Sequence, residues 1–289
     1  MGVDFGGTTI TAGTVTGNGE ILAIHTVSTD RDRPPDALFE TICGAAGEVS
    51  RGVTPAAVCL GVPCPAGPGI DRLAMIENIP SLEGYPLRPL VEERFGIPVV
   101  LENDANCMAF GEHRAGALRG CSHGVCLTLG TGIGCGIIIG GALYRGAGNY
   151  AGEIWNIPRP DGGLIEDRVS IGGLRALSRA ILGEEIGTRG LYERYLAGDS
   201  GAALVFARFG EAVGEVAVMI MSTLDPERIA LGGGLSRTFE AFRDAMVRTV
   251  AKTWGAEGAR RIIRAELSGR AAVIGAAALA EAYVDGQNH

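Results

Sequence analysis

The sequence predicts an α/β fold made by duplication, with two related α/β domains. Three observations carry this. Val3-Asp4-Phe5-Gly6-Gly7-Thr8-Thr9-Ile10 and Cys126-Leu127-Thr128-Leu129-Gly130-Thr131-Gly132-Ile133-Gly134, roughly 125 residues apart, both read strand, Gly/Thr turn, strand. A third glycine turn, Gly232-Gly233-Gly234, follows the apolar run Arg228–Leu231. Strand and helix signals alternate through the rest of the chain, as parallel α/β units require. Glycines free of Cβ let backbone N–H groups converge on an anion, and neighbouring threonine hydroxyls add donors. Matched turns at the head of each half imply a cleft that grips a polyphosphate from both sides.

Each element has its own signal. Gly2–Phe5, Ile10–Val15 and Glu20–Val27 read as strands, the last two joined at Gly17-Asn18-Gly19, a hairpin turn. Pro34-Pro35 starts an amphipathic helix over Pro35–Glu48. Ala57–Val62 is a buried strand running into the Gly/Pro loop Pro63–Gly69. A short helix, Leu87–Phe95, precedes the strand Pro98–Leu101, which ends on Glu102-Asn103-Asp104. The next helix, Ala105–Ala115, takes Asn103 or Asp104 as N-cap.

The second half opens with the strands Gly124–Leu129, Cys135–Ile139 and Ala142–Tyr144, then a loop over Gly146–Gly163. Helices are expected at Ile171–Leu182, Leu191–Leu196 and Ala202–Thr223. In the last, Val213, Val216, Ala217, Ile220, Met221 and Leu224 share one face. Asp225-Pro226 stops it before the strand Arg228–Leu231. Thr238–Trp254 and Ala271–Tyr283 read as the closing helices. The expected division is 1–107, 108–270, and a tail 271–289 packing back on the first domain.

The 289 residues suit two domains of about 140 each, and 46% hydrophobic with 20% charged residues is a globular composition. A net charge of −8 without a basic stripe argues against a nucleic-acid partner. The one lysine, Lys252, stands in Ala-Lys-Thr, which removes the P-loop, and its late position removes the protein-kinase strand lysine. No apolar run reaches 18 residues, so no membrane span is expected. Seven cysteines, mostly in apolar segments, suit a reduced, cytoplasmic protein. The first strand begins almost at residue 1, so a native start several residues upstream is expected.

Gly130-x-Gly132-x-Gly134-x-Gly136 is not a dinucleotide fingerprint, because the spacing differs and a strand rather than a helix follows. Five motifs together are specific: Asp4-x-Gly6-Gly7-Thr8, Glu102-Asn103-Asp104-Ala105-Asn106, Leu129 to Gly134, Ala151-Gly152-Glu153-Ile154 and Leu231-Gly232-Gly233-Gly234. In order and spacing they resemble the ROK family of bacterial sugar kinases and repressors, from residue 2 to about residue 280. The resemblance implies an actin/hexokinase-like (ribonuclease H-like) fold with nucleotide and sugar in the interdomain cleft. It implies ATP as donor, Mg²⁺ near Asp4, and a homodimer. Gly6, Gly7, Thr8 and Thr9 with Gly130, Thr131 and Gly132 would be the two phosphate loops, and Gly232, Gly233 and Gly234 the adenosine-side loop. Asp104 resembles the general base, and Asn78, Asn103, Asp104, Glu153, Asn156 and Glu166 the substrate-binding group. Without a lysine clamp, the triphosphate must be met by backbone dipoles, hydroxyls and metal.

The chain departs from the family where most members read Glu-x-Gly-His. Here it reads Glu153-Ile154-Trp155-Asn156, and no cysteine follows Cys135. No zinc site is expected, since structural zinc needs closely spaced Cys or His. The sugar loop also changes, to Pro63-Cys64, so glucose specificity does not follow. The leading expectation is a hexose kinase acting on a C6-type hydroxyl. The alternatives are an N-acylhexosamine kinase, a kinase of a polyol such as a cyclitol or inosose, a sugar-sensing regulator lacking its DNA-binding domain, and a non-catalytic sugar-binding remnant. His25, His113, His123 and His289 show no ligand spacing.

Overall fold

The computed structural model describes residues 1–287; His289 and the end of the expected tail lie outside the described residues. The first half contains β1 (Gly2–Phe5), β2 (Thr9–Val15), β3 (Ile21–Ser28), α1 (Pro35–Val49), β4 (Val58–Val62), α2 (Leu87–Phe95), β5 (Val99–Asn103) and α3 (Asp104–Ala115). The second contains β6 (Gly124–Leu129), β7 (Ile133–Ile139), β8 (Ala142–Leu143), α4 (Glu166–Val169), α5 (Ile171–Leu182), α6 (Thr188–Leu196), α7 (Ser200–Leu224), β9 (Arg228–Gly232), α8 (Phe239–Arg260) and β10 (Ile262–Arg264). The chain closes with α9 (Ala271–Gln287).

The duplication is explicit in the strand order. One sheet runs β3-β2-β1-β4-β5 and the other β8-β7-β6-β9-β10. In each, an antiparallel meander (β1 with β2 and β3; β6 with β7 and β8) joins a parallel pair on its other side. The shared register sets the chemistry, because Asp4 lies opposite Gly61, and Gly61 opposite Glu102. Two residues beyond Glu102 the chain turns into α3 at Asp104.

Both sheets carry helices on their outer faces, and α3 and α9 meet between them. Helix α9 packs on β1, β2 and β4, and α3 on β6 and β7. The seam is made of small side chains, with Cys59, Cys107, Cys126, Ala230 and Ala271 all buried. A Cβ on Gly136 would stand 2.5 Å from the Ala105 carbonyl oxygen, so bare backbone there lets α3 seat on β7. The second core is aromatic, and Phe206, Phe209 and Phe242 are fully buried. Each such ring contributes about 2 kcal/mol of apolar burial. All seven cysteines are buried and unpaired.

Most elements fall where the sequence places them. Helix α8 kinks at Gly255 (φ 67°), just past the expected end at Trp254, and resumes to Arg260. Strand β10 and the one-turn α4 carry no readable signal: three and four residues are too short for periodicity.

Candidate functional site

The glycine turns and Asp104 collect at one edge of each sheet, where the parallel strands end. Open α/β sheets bind ligands at such carboxyl ends. A cavity of about 330 Å³ opens there between the two halves. From the first half, Gly7, Thr8, Asn78, Asn103 and Asp104 reach its wall. From the second come Gly130, Thr131, Gly132, Glu153, Glu166 and Gly233. Asp4, Gly6, Thr9, Gly232, Gly234 and Asn156 do not line it; they sit behind or beside lining residues.

The first glycine turn is fixed by its own backbone, with Gly6 N donating to Thr9 O at 3.0 Å. The fully buried Thr29 ties it down from β3's end: its hydroxyl donates to Gly6 O at 2.6 Å and its N–H to Thr8 O at 2.9 Å. The second turn closes through Gly130 N to Gly132 O at 2.9 Å. Thr128 Oγ1 accepts from Gly134 N at 3.0 Å, and Glu166 Oε2 accepts from Ile133 N at 3.1 Å. Glu166 therefore stands directly on the second turn, where a Cβ on Gly132 would lie 2.3 Å from its oxygen.

Asn103 takes the N-cap of α3, its Oδ1 accepting from Asn106 N at 3.1 Å, and its amide donates to Cys64 O at 3.3 Å. That leaves Asp104 in the first helical position, with Oδ1 accepting the adjacent Ala105 N–H at 2.8 Å. Burial pushes the Asp104 carboxyl up to about 7; the nearby Asp4 carboxylate adds to the rise, and the Ala105 N–H opposes it. Burial likewise lifts Asp4 to about 6. Two carboxyls at the ends of β1 and β5, on either side of β4 and both raised, mark a place where protons move near neutral pH.

Glu153 sits on a rigid mount. Gly152 adopts φ 90°, and a Cβ there would stand 1.9 Å from Cys135 O. Burial raises the Glu153 carboxyl, and Trp155 Nε1 donates to its Oε2 at 2.6 Å, opposing the rise. The Trp155 ring lines the cavity and also packs on the second core. One ring thus serves both cavity and core. Reading the sequence missed Arg31 and Glu77, which also line the cavity. Their neighbours, Asp30-Arg31-Asp32 and Ile76-Glu77-Asn78, look like solvated loops, and only the folded chain brings them to the cleft.

Among the described residues, no group of three His, Cys, Asp or Glu side chains is placed to hold a metal ion by itself. No helix among them is long and apolar enough to cross a membrane.

Two sheets of matched order with a cleft between them define the actin/hexokinase-like class of α/β proteins. The ROK family model matches residues 1–283, and the chain belongs to that family. A glucokinase of Streptomyces coelicolor is 34% identical, the alignment covering 97% of this chain and 96% of that one. An N-acetyl-D-glucosamine kinase of Vibrio vulnificus is 31% identical over 87% of this chain and 88% of the relative. The crystal structure of a ROK family glucokinase from Streptomyces griseus, in complex with glucose and AMPPNP, matches at a TM-score of 0.84. Its identity is 32%, covering 97% of this chain and 98% of that one.

Proposed function

We propose that the chain is an ATP-dependent carbohydrate kinase that phosphorylates a C6-type hydroxyl, with Asp104 as general base. The observation that carries this is the position of Asp104: at the cavity wall, between two glycine turns, uncommitted to capping and raised to about 7 by burial. A base whose pKa lies near the working pH combines a useful ionised fraction with real proton affinity. Family membership and the named activities of the relatives support the reaction class.

In the reaction, Asp104 takes the proton of the acceptor hydroxyl as that oxygen attacks the γ-phosphorus. The bond from the γ-phosphorus to the β–γ bridging oxygen breaks, and ADP leaves with the electron pair. Asn78, Asn103, Glu153 and Glu166 are suited to holding the acceptor, since amides and carboxylates each pair with vicinal hydroxyls. Gly6 to Thr9 and Gly130 to Gly132 would hold the phosphates, and Gly232 to Gly234 the adenosine side. Asn156, next to Trp155 in the chain, would complete the acceptor-binding group. The units would be 1–107 and 108–270, with 271–289 packed back on the first, and a homodimer is the expected assembly.

Asp4 fits a hard divalent cation. Mg²⁺ takes oxygen ligands, typically one or two protein carboxylates with substrate phosphates and waters. Asp4 is partly buried, and its carboxylate is near enough to raise Asp104. When bound, Mg²⁺ would neutralise charge on the phosphate oxygens.

A coupled ATP-turnover assay across hexoses, N-acetylhexosamines and cyclitols tests this reading. Acceptor-dependent ADP release is expected for at least one hexose. Release with an N-acetylhexosamine or cyclitol alone would move the substrate to that class, and none at all would end the kinase reading.

A further inference from the structure

Among the described residues lining the cavity Arg31 is basic, while Glu77, Asp104, Glu153 and Glu166 are acidic. A tetra-anionic nucleotide entering such a site meets four carboxylates. Mg²⁺ offsets part of that repulsion, and a guanidinium is the side chain best shaped to meet phosphate oxygens, through two parallel N–H bonds.

Arg31 is delivered to the wall by a built path. Thr29, fully buried, binds the Gly6 and Thr8 carbonyls and so locks the end of β3 to the first glycine turn. Asp30 then takes a left-handed conformation, φ 47°, which L side chains adopt at a cost. Arg33 N closes the turn onto Asp30 O at 3.0 Å, and Arg33 itself is held away by Thr41, its Nη1 donating to Oγ1 at 3.0 Å. Arg31 thus reaches the cavity on the side of Gly7 and Thr8. It forms no ion pair or hydrogen bond among the described residues, whereas Arg33 is engaged by Thr41, so the five donors of Arg31 remain available.

We propose that Arg31 binds the terminal phosphoryl groups of the nucleotide and supplies the cation that the lone lysine of this chain cannot. The inference rests on the kinase reading above, and it amends the expectation that backbone, hydroxyls and metal alone carry the triphosphate. Arg31 touches the substrate's phosphates directly, so its loss acts on nucleotide binding and on the transition state, where charge spreads over the transferring oxygens.

The test compares wild type, Arg31→Ala and Arg31→Lys by titration with AMPPNP, ADP and adenosine in the presence of Mg²⁺, and by steady-state kinetics with ATP varied. Arg31→Ala is expected to weaken AMPPNP about tenfold to a hundredfold and to leave adenosine unchanged. The kcat/KM for ATP is expected to fall at least as far, with the acceptor KM within about twofold. Arg31→Lys is expected to restore part of the loss, a point charge lacking the paired geometry. Equal AMPPNP affinity in wild type and Arg31→Ala would overturn the proposal, as would a loss confined to the acceptor KM. A wild type that binds AMPPNP yet phosphorylates nothing would end the kinase reading while the titration still judged Arg31. Arg31 is exposed and unpaired, and an unchanged melting temperature verifies that the variants fold.

Discussion

Glu102 and Arg145 join the two halves of the chain: Arg145 Nε donates to Glu102 Oε2 at 2.6 Å. Glu102 is the penultimate residue of β5 and is fully enclosed, while Arg145 follows β8 of the other sheet and keeps a quarter of its side chain exposed. The other Glu102 oxygen accepts from Asn106 Nδ2 at 2.9 Å and Asn103 N at 3.1 Å, so the pair also braces the start of α3. Burial raises the Glu102 carboxyl even so, with Arg145 as the largest opposing influence.

Removing one partner from such a pair strands a buried charge. Arg145→Ala is expected to destabilise the fold by about 3 kcal/mol, the low end for buried pairs because the arginine is partly solvated. The double variant Glu102→Gln, Arg145→Ala should recover much of that loss. Urea denaturation of the set measures it, and a double variant no more stable than Arg145→Ala would contradict the coupling.

Asn103 and Asp104 are neighbours with different work, and stability separates them. Asn103→Ala removes the α3 cap and should cost about 1 kcal/mol. Asp104→Asn removes no cap and relieves a buried charge, so its melting temperature at pH 8 should match or exceed that of wild type.

The raised Asp104 carboxyl gives a pH dependence with a fixed sign. Folding lifts its pKa from 3.8 to about 7, so the folded state holds the proton more tightly. The associated stabilisation is complete below pH 3.8 and disappears as pH rises through about 7. Activity runs the other way, because the base must be ionised. The kcat/KM should climb about tenfold per pH unit below pH 7 and level off above it. A profile flat from pH 5 to 8 would contradict the role.

On the proposed reading, Trp155 and Glu153 would form the acceptor end of the site. Trp155→Phe keeps the ring and deletes the 2.6 Å bond to the carboxylate. A hydrogen bond to a charged group is worth about 1.5 kcal/mol, so kcat/KM for the acceptor should fall about tenfold, with the KM for ATP unchanged. Equal losses for both substrates would place Trp155 in the scaffold instead.

Much of the fold was legible because its signals are local. The glycine turns, the proline that starts α1, the Asp225-Pro226 stop and the apolar stripe of α7 each act within a few residues. Asp104 and the turns were legible as residues through their motifs. Arg31 was not: its importance arises from Thr29 gripping the first turn, a contact across 23 residues that no spacing encodes. The double role of Trp155 is hidden for a related reason, since a ring that serves both core and cavity looks the same in sequence as one that serves either.

The most direct measurement is single-turnover phosphoryl transfer to the best acceptor by wild type and Asp104→Asn at pH 8. Transfer by wild type and a 10²- to 10⁴-fold slower rate in a folded Asp104→Asn is the expected result. A folded Asp104→Asn retaining more than a tenth of the wild-type rate would contradict it.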